Sequence, residues 1–333
     1  MYNMKILNKP CYNLDTICFI NALTGYNFYI EYHKEDYDRF YPLLSHVTTL
    51  KLKEMVEKRG TSLLSSRITL LLSGLDNFET ADLCEMLASH EDMRRRIHAS
   101  PYVFTDEELT AEFEHYDNVI IPLIQELEAA GFRKYWTEEK LPLLQARCKI
   151  LNNYCQGQGI YDAISNLKAV DKDATINMYI CAFTRPIGIK LCGYNMISDY
   201  KWSDDIILAT VTHEMFHPPY DYNNVETTVE KLGVLSWVKK AFDNQKEHLK
   251  YSPIKDFIEE NIVEALGIYV LLKLGVETEM YKDPHKYFQE HDEGSHVVSP
   301  HFYDYLVNNP KPAALSFEDY FIAFADELIK GGV

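Results

Sequence analysis

From Lys34 to Leu167 apolar residues recur three and four positions apart among charged ones, a period that a helix can turn to one side and a strand cannot. Tyr41-Pro42-Leu43-Leu44, Leu63 to Leu75 and Val119 to Leu127 carry it most clearly, so this half of the chain is expected to form a helical layer. Helix starts are expected at Thr80 and at Thr105. The second is followed by Asp106, Glu107 and Glu108, whose charges suit the positive end of a helix dipole. The scattered His90, His98 and His115 read as surface or packing residues without chemistry.

The pattern changes near Asp171. Asn177 to Phe183 is a short apolar run rich in strand formers, Arg185-Pro186-Ile187-Gly188 interrupts it, and a second run spans Ile189 to Ile197, which suggests two paired strands. After a polar break, Ser203-Asp204-Asp205 reads as a helix start leading through Ile206 to Thr212. Val225 to Phe242 and Ile254 to Leu274 read as further helices, the latter apolar enough to be central and closed by Gly275. A last amphipathic helix runs from about Ser316 to Ile329. The expected fold class is α+β, mainly helical, with a helical region over residues 1–170 and a region over 171–333 holding a small sheet.

A chain of 333 residues is long enough to bury a large core, and 47% hydrophobic and 25% charged residues suit a globular protein. Fifty acidic against 33 basic residues give a formal charge of −17, which repels phosphate backbones and anionic bilayers, so no nucleic acid and no membrane is expected as partner. The seven cysteines are scattered without paired metal spacing and read as buried, reduced thiols. Asn8-Lys9-Pro10 and Asp15 break up the apolar core that a signal peptide would need, and the cytoplasm is the expected compartment.

Chemistry is concentrated in His213-Glu214-Met215-Phe216-His217. Two imidazoles four residues apart share a helix face, where both can bind one zinc ion while the glutamate between them reaches a water. Glu214 would then act as general base and return the proton to a leaving amine, without binding the metal itself.

This motif resembles the active-site helix of the zincin metallopeptidases, as do the uncharged residues Thr210-Val211-Thr212 before it. The metzincin branch does not fit, because Tyr220 and Asn223 stand where its glycine and third histidine would be. The gluzincin branch implies a ligand from a later helix, and Val263-Glu264-Ala265-Leu266-Gly267-Ile268-Tyr269 is similar to its glutamate segment. Glu264 is therefore the expected third zinc ligand and Glu260, one turn earlier, its rival; the two could also divide the work, one on zinc and one on an imidazole. Gly267, one turn beyond Glu264, would let the two helices approach closely.

The resemblance further implies an edge strand for peptide substrate within Ile187 to Ile197, and an oxyanion donor downstream. His296 is the first choice for that donor, with His301, Tyr303 and Tyr305 as alternatives. The implied function is a zinc-dependent peptidase; a noncatalytic zinc-containing binding protein of zincin fold is the alternative. Pro218-Pro219 departs from the family pattern and should put His217 near the end of its helix, since a residue before proline is pushed out of helical geometry. The resemblance covers mainly residues 175 to 305.

Overall fold

The computed structural model describes residues 5–60, 63–154, 159–171, 173–245, 251, 253–276 and 278–331. It is mainly helical with one small mixed sheet, the α+β class expected. The chain forms two compact units, one from 5–156 with 175–204, the other from 157–174 with 205–333. This differs from a division after residue 170, and hydrogen bonding explains why.

The sheet has strand order β1-β2-β4-β3, with β1 at Lys5–Lys9, β2 at Thr175–Cys181, β3 at Ile189–Lys190 and β4 at Asn195–Asp199. β1 pairs in parallel with β2 from Lys5 opposite Thr175 to Lys9 opposite Tyr179, so the strands near residue 180 belong with the amino-terminal helices. β1 is short and its sequence carries no strand pattern, since the buried face holds Ile6 and Asn8 and the exposed one Lys5 and Leu7. β2 also pairs in parallel with β4, while β3 pairs antiparallel with β4. The run Ile187 to Ile197 is thus two strands, divided by a turn in which Gly193 adopts φ +67°. Its longer part, β4, is interior, and only the two residues of β3 lie at the edge expected to receive a peptide.

In this first unit the helix Tyr12–Leu23 is buried along its whole length. Phe19 stacks on Phe132 with ring centroids 5.1 Å apart and meets Phe183 at 4.7 Å. Asp15, fully buried, accepts hydrogen bonds from Trp136 Nε1 at 2.7 Å and from the amides of Ala182 and Phe183 at 2.8 and 3.0 Å. It thereby ties the helix after β1 to the chain leaving β2. Thr105 starts its helix as expected, with a full capping box to Glu108. Thr80 does not: the helix begins at Leu83, because the Asp82 carboxylate accepts from the Glu85 amide and takes the capping role.

All described elements of the second unit are helical, so the small sheet expected within 171–333 lies in the other unit. The stretch Val225 to Phe242 forms two helices, Tyr222–Gly233 and Ser236–Asp243. The apolar helix Ile254–Lys273 is central and packs against Ile160–Ser165, Tyr222–Gly233 and Ser299–Asn308. Gly275, with φ +76°, ends it in a Schellman turn: Val276 N–H donates to Leu271 O at 3.0 Å and Gly275 N–H to Leu272 O at 3.1 Å. The helix Phe317–Gly331 follows the amphipathic pattern of the tail. Among the described residues no helix is long and apolar enough to cross a membrane.

Burial pushes the Asp15 carboxyl up to about 7, the charge of Asp199 adds to this, and the three donors only partly oppose it. An acid whose folded pKa is raised stabilises the fold most below its unfolded pKa and loses that contribution as pH rises through the folded one. The stability advantage of wild type over Asp15→Asn is therefore expected to shrink from about pH 4 to pH 7. Denaturant unfolding of both proteins across that range tests this; a pH-independent difference would contradict it.

Candidate metal centre

The motif helix spans Asp204–Glu214, so Glu214 is its last α-helical residue and His217 lies one turn past its end. Pro218 lacks an amide hydrogen and cannot continue the helix. The chain instead tightens: Phe216 N–H donates to His213 O at 2.9 Å and His217 N–H to Glu214 O at 3.3 Å, bonds of 3₁₀ type. Lys168 then fixes this turn. Its Nζ donates to the carbonyls of Met215, Phe216 and Pro218 at 3.3, 3.2 and 2.7 Å, a cation at the negative end of the helix. This also explains why the segment around Lys168 belongs with the second unit.

The outcome is that the imidazoles converge although they do not share a regular helix. His213 Nε2 and His217 Nε2 are 3.1 Å apart. Glu260 straddles them, with Oε1 3.2 Å from His213 Nε2 and Oε2 3.5 Å from His217 Nε2. Ligands bound to zinc at about 2.0–2.1 Å in a tetrahedron stand about 3.3–3.4 Å from one another, so these three side chains have the spacing of one zinc site. The opposite ring edges are held by carboxylates: Glu264 Oε2 lies 2.8 Å from His213 Nδ1, and Glu259 Oε1 lies 3.0 Å from His217 Nδ1. Both rings thus keep Nε2 directed at the common point, the arrangement that orients and strengthens imidazole ligands.

Glu264, expected as third ligand, accordingly faces His213 Nδ1, and its rival Glu260 is the carboxylate that reaches both Nε2 atoms. The reason is the approach of the two helices. A Cβ on Gly267 would lie 3.4 Å from His213 Cα and 3.6 Å from its Cβ, so Gly267 rests on the His213 backbone. One turn back, Glu264 meets the near nitrogen of the ring; another turn back, Glu260 meets the far one.

The electrostatics suit a cation. Burial favours neutral forms, but the imidazoles prevail and hold Glu260 at about 2 and Glu264 well below the usual carboxylate range. Burial likewise lowers the His213 pKa, yet Glu260 and Glu264 outweigh it and raise the value well above that of a free histidine.

Glu214 is buried at 6% exposure beside the cluster in sequence. Tyr251, which no sequence motif marks, lies within electrostatic reach of Glu260, Asp292, Glu264 and Glu214; burial first and these acids next push its phenol well above its ordinary value. Glu259 and Lys168 were also missed. Glu259 had a weak signal, its place beside Glu260, whereas Lys168 and Tyr251 had none, since only folding brings them here.

His296, expected as oxyanion donor, is 2% exposed and faces Asp292, with Nε2 3.3 Å from Asp292 Oδ2. Burial lowers its pKa, but Asp292 and Glu264 outweigh this and raise it. It is hydrogen-bonded to Asp292, while Glu260 and Glu264 lie within its electrostatic reach. The alternatives are packing residues of the helix Ser299–Asn308: His301 meets Trp237, Tyr303 meets Phe288, and Tyr305 meets Tyr320 and Phe324.

In comparisons with protein-family models, curated protein sequences and solved structures, nothing matches this chain.

The division of roles among the glutamates is measurable by chelator competition. Glu260→Gln should abolish tight zinc binding, whereas Glu264→Gln and Glu259→Gln should weaken it by about 10- to 100-fold. Gly267→Val should force the helices apart, costing about 1–3 kcal/mol of stability and most of the zinc affinity. Equal effects of Glu260→Gln and Glu264→Gln would contradict the assignment.

Proposed function

We propose that this chain is a zinc-dependent peptidase of zincin type, with His213, His217 and Glu260 holding the metal. The observation that carries the reading is the convergence of two Nε2 atoms on one carboxylate, 3.1 to 3.5 Å apart, while a second carboxylate occupies each Nδ1. The zincin resemblance of the motif supplies the reaction class. A zinc ion held by these groups supplies Lewis acidity toward a water molecule and a substrate carbonyl.

The remaining steps fall to the chain's own side chains. Glu214 takes a proton from the water as its oxygen bonds to the peptide carbon, and returns that proton to the nitrogen as the C–N bond breaks. Tyr251, on which Glu260, Glu264 and Glu214 act electrostatically, is the oxyanion donor in this reading. A tyrosine phenol is protonated at neutral pH, so Tyr251 can donate a hydrogen bond to the carbonyl oxygen on which negative charge develops. Lys168 holds the turn that carries His217 and so fixes the second ligand relative to the first.

The described cysteines are free thiols, which suits a reducing compartment such as the cytoplasm; Cys155 lies outside the described residues.

Hydrolysis of a diverse peptide library by zinc-loaded protein tests the proposal. Glu214→Gln should keep the zinc and lower kcat by about 10²- to 10⁴-fold. Tyr251→Phe should lower kcat by about 10²- to 10³-fold with little change in KM. Hydrolysis retained in Glu214→Gln would overturn the mechanism, and zinc bound by wild type without hydrolysis of any library member would favour a noncatalytic zinc protein.

A further inference from the structure

A second group of potential ligands lies on the turn after the helix Pro284–Glu290: His291, Asp292 and His296 each offer an atom within 4.8 Å of the others. None of these belongs to the centre formed by His213, His217 and Glu260.

Asp292 stands between the two imidazoles. Its Oδ2 lies 3.3 Å from His296 Nε2 and its Oδ1 3.7 Å from His291 Nε2. A charge-assisted hydrogen bond between such groups would close to about 2.7–2.9 Å, whereas about 3.3–3.4 Å is the spacing of donors on one zinc-sized ion. His296 is the decisive member. It is 2% exposed and presents Nε2 to the point that Asp292 shares.

The backbone is committed to the same arrangement. Asp292 and Glu293 both adopt left-handed conformations, with φ +43° and +57°, before Gly294 at +79°. Non-glycine residues persist there only when surrounding structure over-determines them. Asn261 supplies some of that constraint from the helix Ile254–Lys273: its side chain donates to Ser295 O at 3.3 Å and accepts from Val298 N–H at 2.8 Å. His291 stacks on Tyr287 with ring centroids 4.7 Å apart and on His296 at 5.4 Å, yet its side chain stays 42% exposed and is free to turn a nitrogen toward an arriving ion. Asp292 also lines a cavity of about 310 Å³ together with Glu293, Ser295, Lys240 and Gln245.

The geometry points to a second divalent-cation site, formed by His291, Asp292 and His296 and separate from the first centre. Two imidazoles and one carboxylate select a late first-row ion such as Zn²⁺ or Co²⁺ over Mg²⁺ or Ca²⁺, with positions left open for water.

Cobalt titration of the full chain, freed of any polyhistidine tag and stripped of metal, tests this through elemental analysis and visible absorption. Wild type is expected to bind two equivalents. His291→Gln, at a half-exposed position where folding is not at risk, and Asp292→Asn should each bind one fewer. The His213→Gln/His217→Gln variant, its fold checked by circular dichroism, should retain one equivalent that a further His291→Gln removes. That arm separates the two centres: the second site can be present when the first is absent, and the reverse. An equivalent count unchanged by both His291→Gln and Asp292→Asn overturns the inference, as does complete loss of binding in the folded His213→Gln/His217→Gln variant. If that variant does not fold, the wild-type comparison with His291→Gln decides alone.

Discussion

The contact between Gly267 and the backbone of His213 sets the geometry of everything around it. With no side chain at position 267, the helix Ile254–Lys273 lies directly on the end of the motif helix, and a Cβ there would already touch His213 Cα at 3.4 Å. At that distance successive turns of one helix reach successive atoms of one imidazole. Gly267 meets the backbone, Glu264 the near nitrogen and Glu260 the far nitrogen. A wider separation would leave the carboxylates short of the ring, and a different rotation would pair His213 with apolar neighbours such as Val263 or Leu266.

Charge then decides what such an arrangement can hold. Three carboxylates, Glu259, Glu260 and Glu264, face two imidazoles in a largely buried setting, where unpaired charge is costly. The imidazoles keep Glu260 and Glu264 ionised against the pull of burial, and the excess of negative charge is what a divalent cation would offset. Lys168 contributes from the other side. It satisfies three carbonyls left open where proline ends the helix, and so the turn carrying His217 is fixed rather than frayed.

The same central helix also organises the turn that follows. Asn261, next to Glu260 in sequence, holds the chain at Ser295 and Val298 and thereby places His296. Tyr287 sits beside Glu264; burial first and that carboxylate next push its phenol well up, so it remains a donor there. Two groups of histidines and acids are thus hung from adjacent positions on one apolar helix, whose buried face carries the stability both need.

What the amino-acid sequence determined is local. The three-to-four periodicity of Leu63 to Leu75 and Val119 to Leu127, the capping box at Thr105, the Gly275 terminator and the spacing of His213 and His217 each depend on residues within a turn or two of one another. The proline effect at Pro218 is of the same kind. Tertiary structure alone decided which partners meet across the chain. β1 joins β2 across some 165 residues of intervening sequence, so the sheet falls with the amino-terminal helices. Glu260 rather than Glu264 reaches the shared point of the two imidazoles, Glu259 takes the back of His217, and Lys168 arrives from a segment with no motif of its own. Equivalent positions on a helix face are separated only by how closely and at what rotation another helix packs, and that is fixed by contacts between residues distant in sequence.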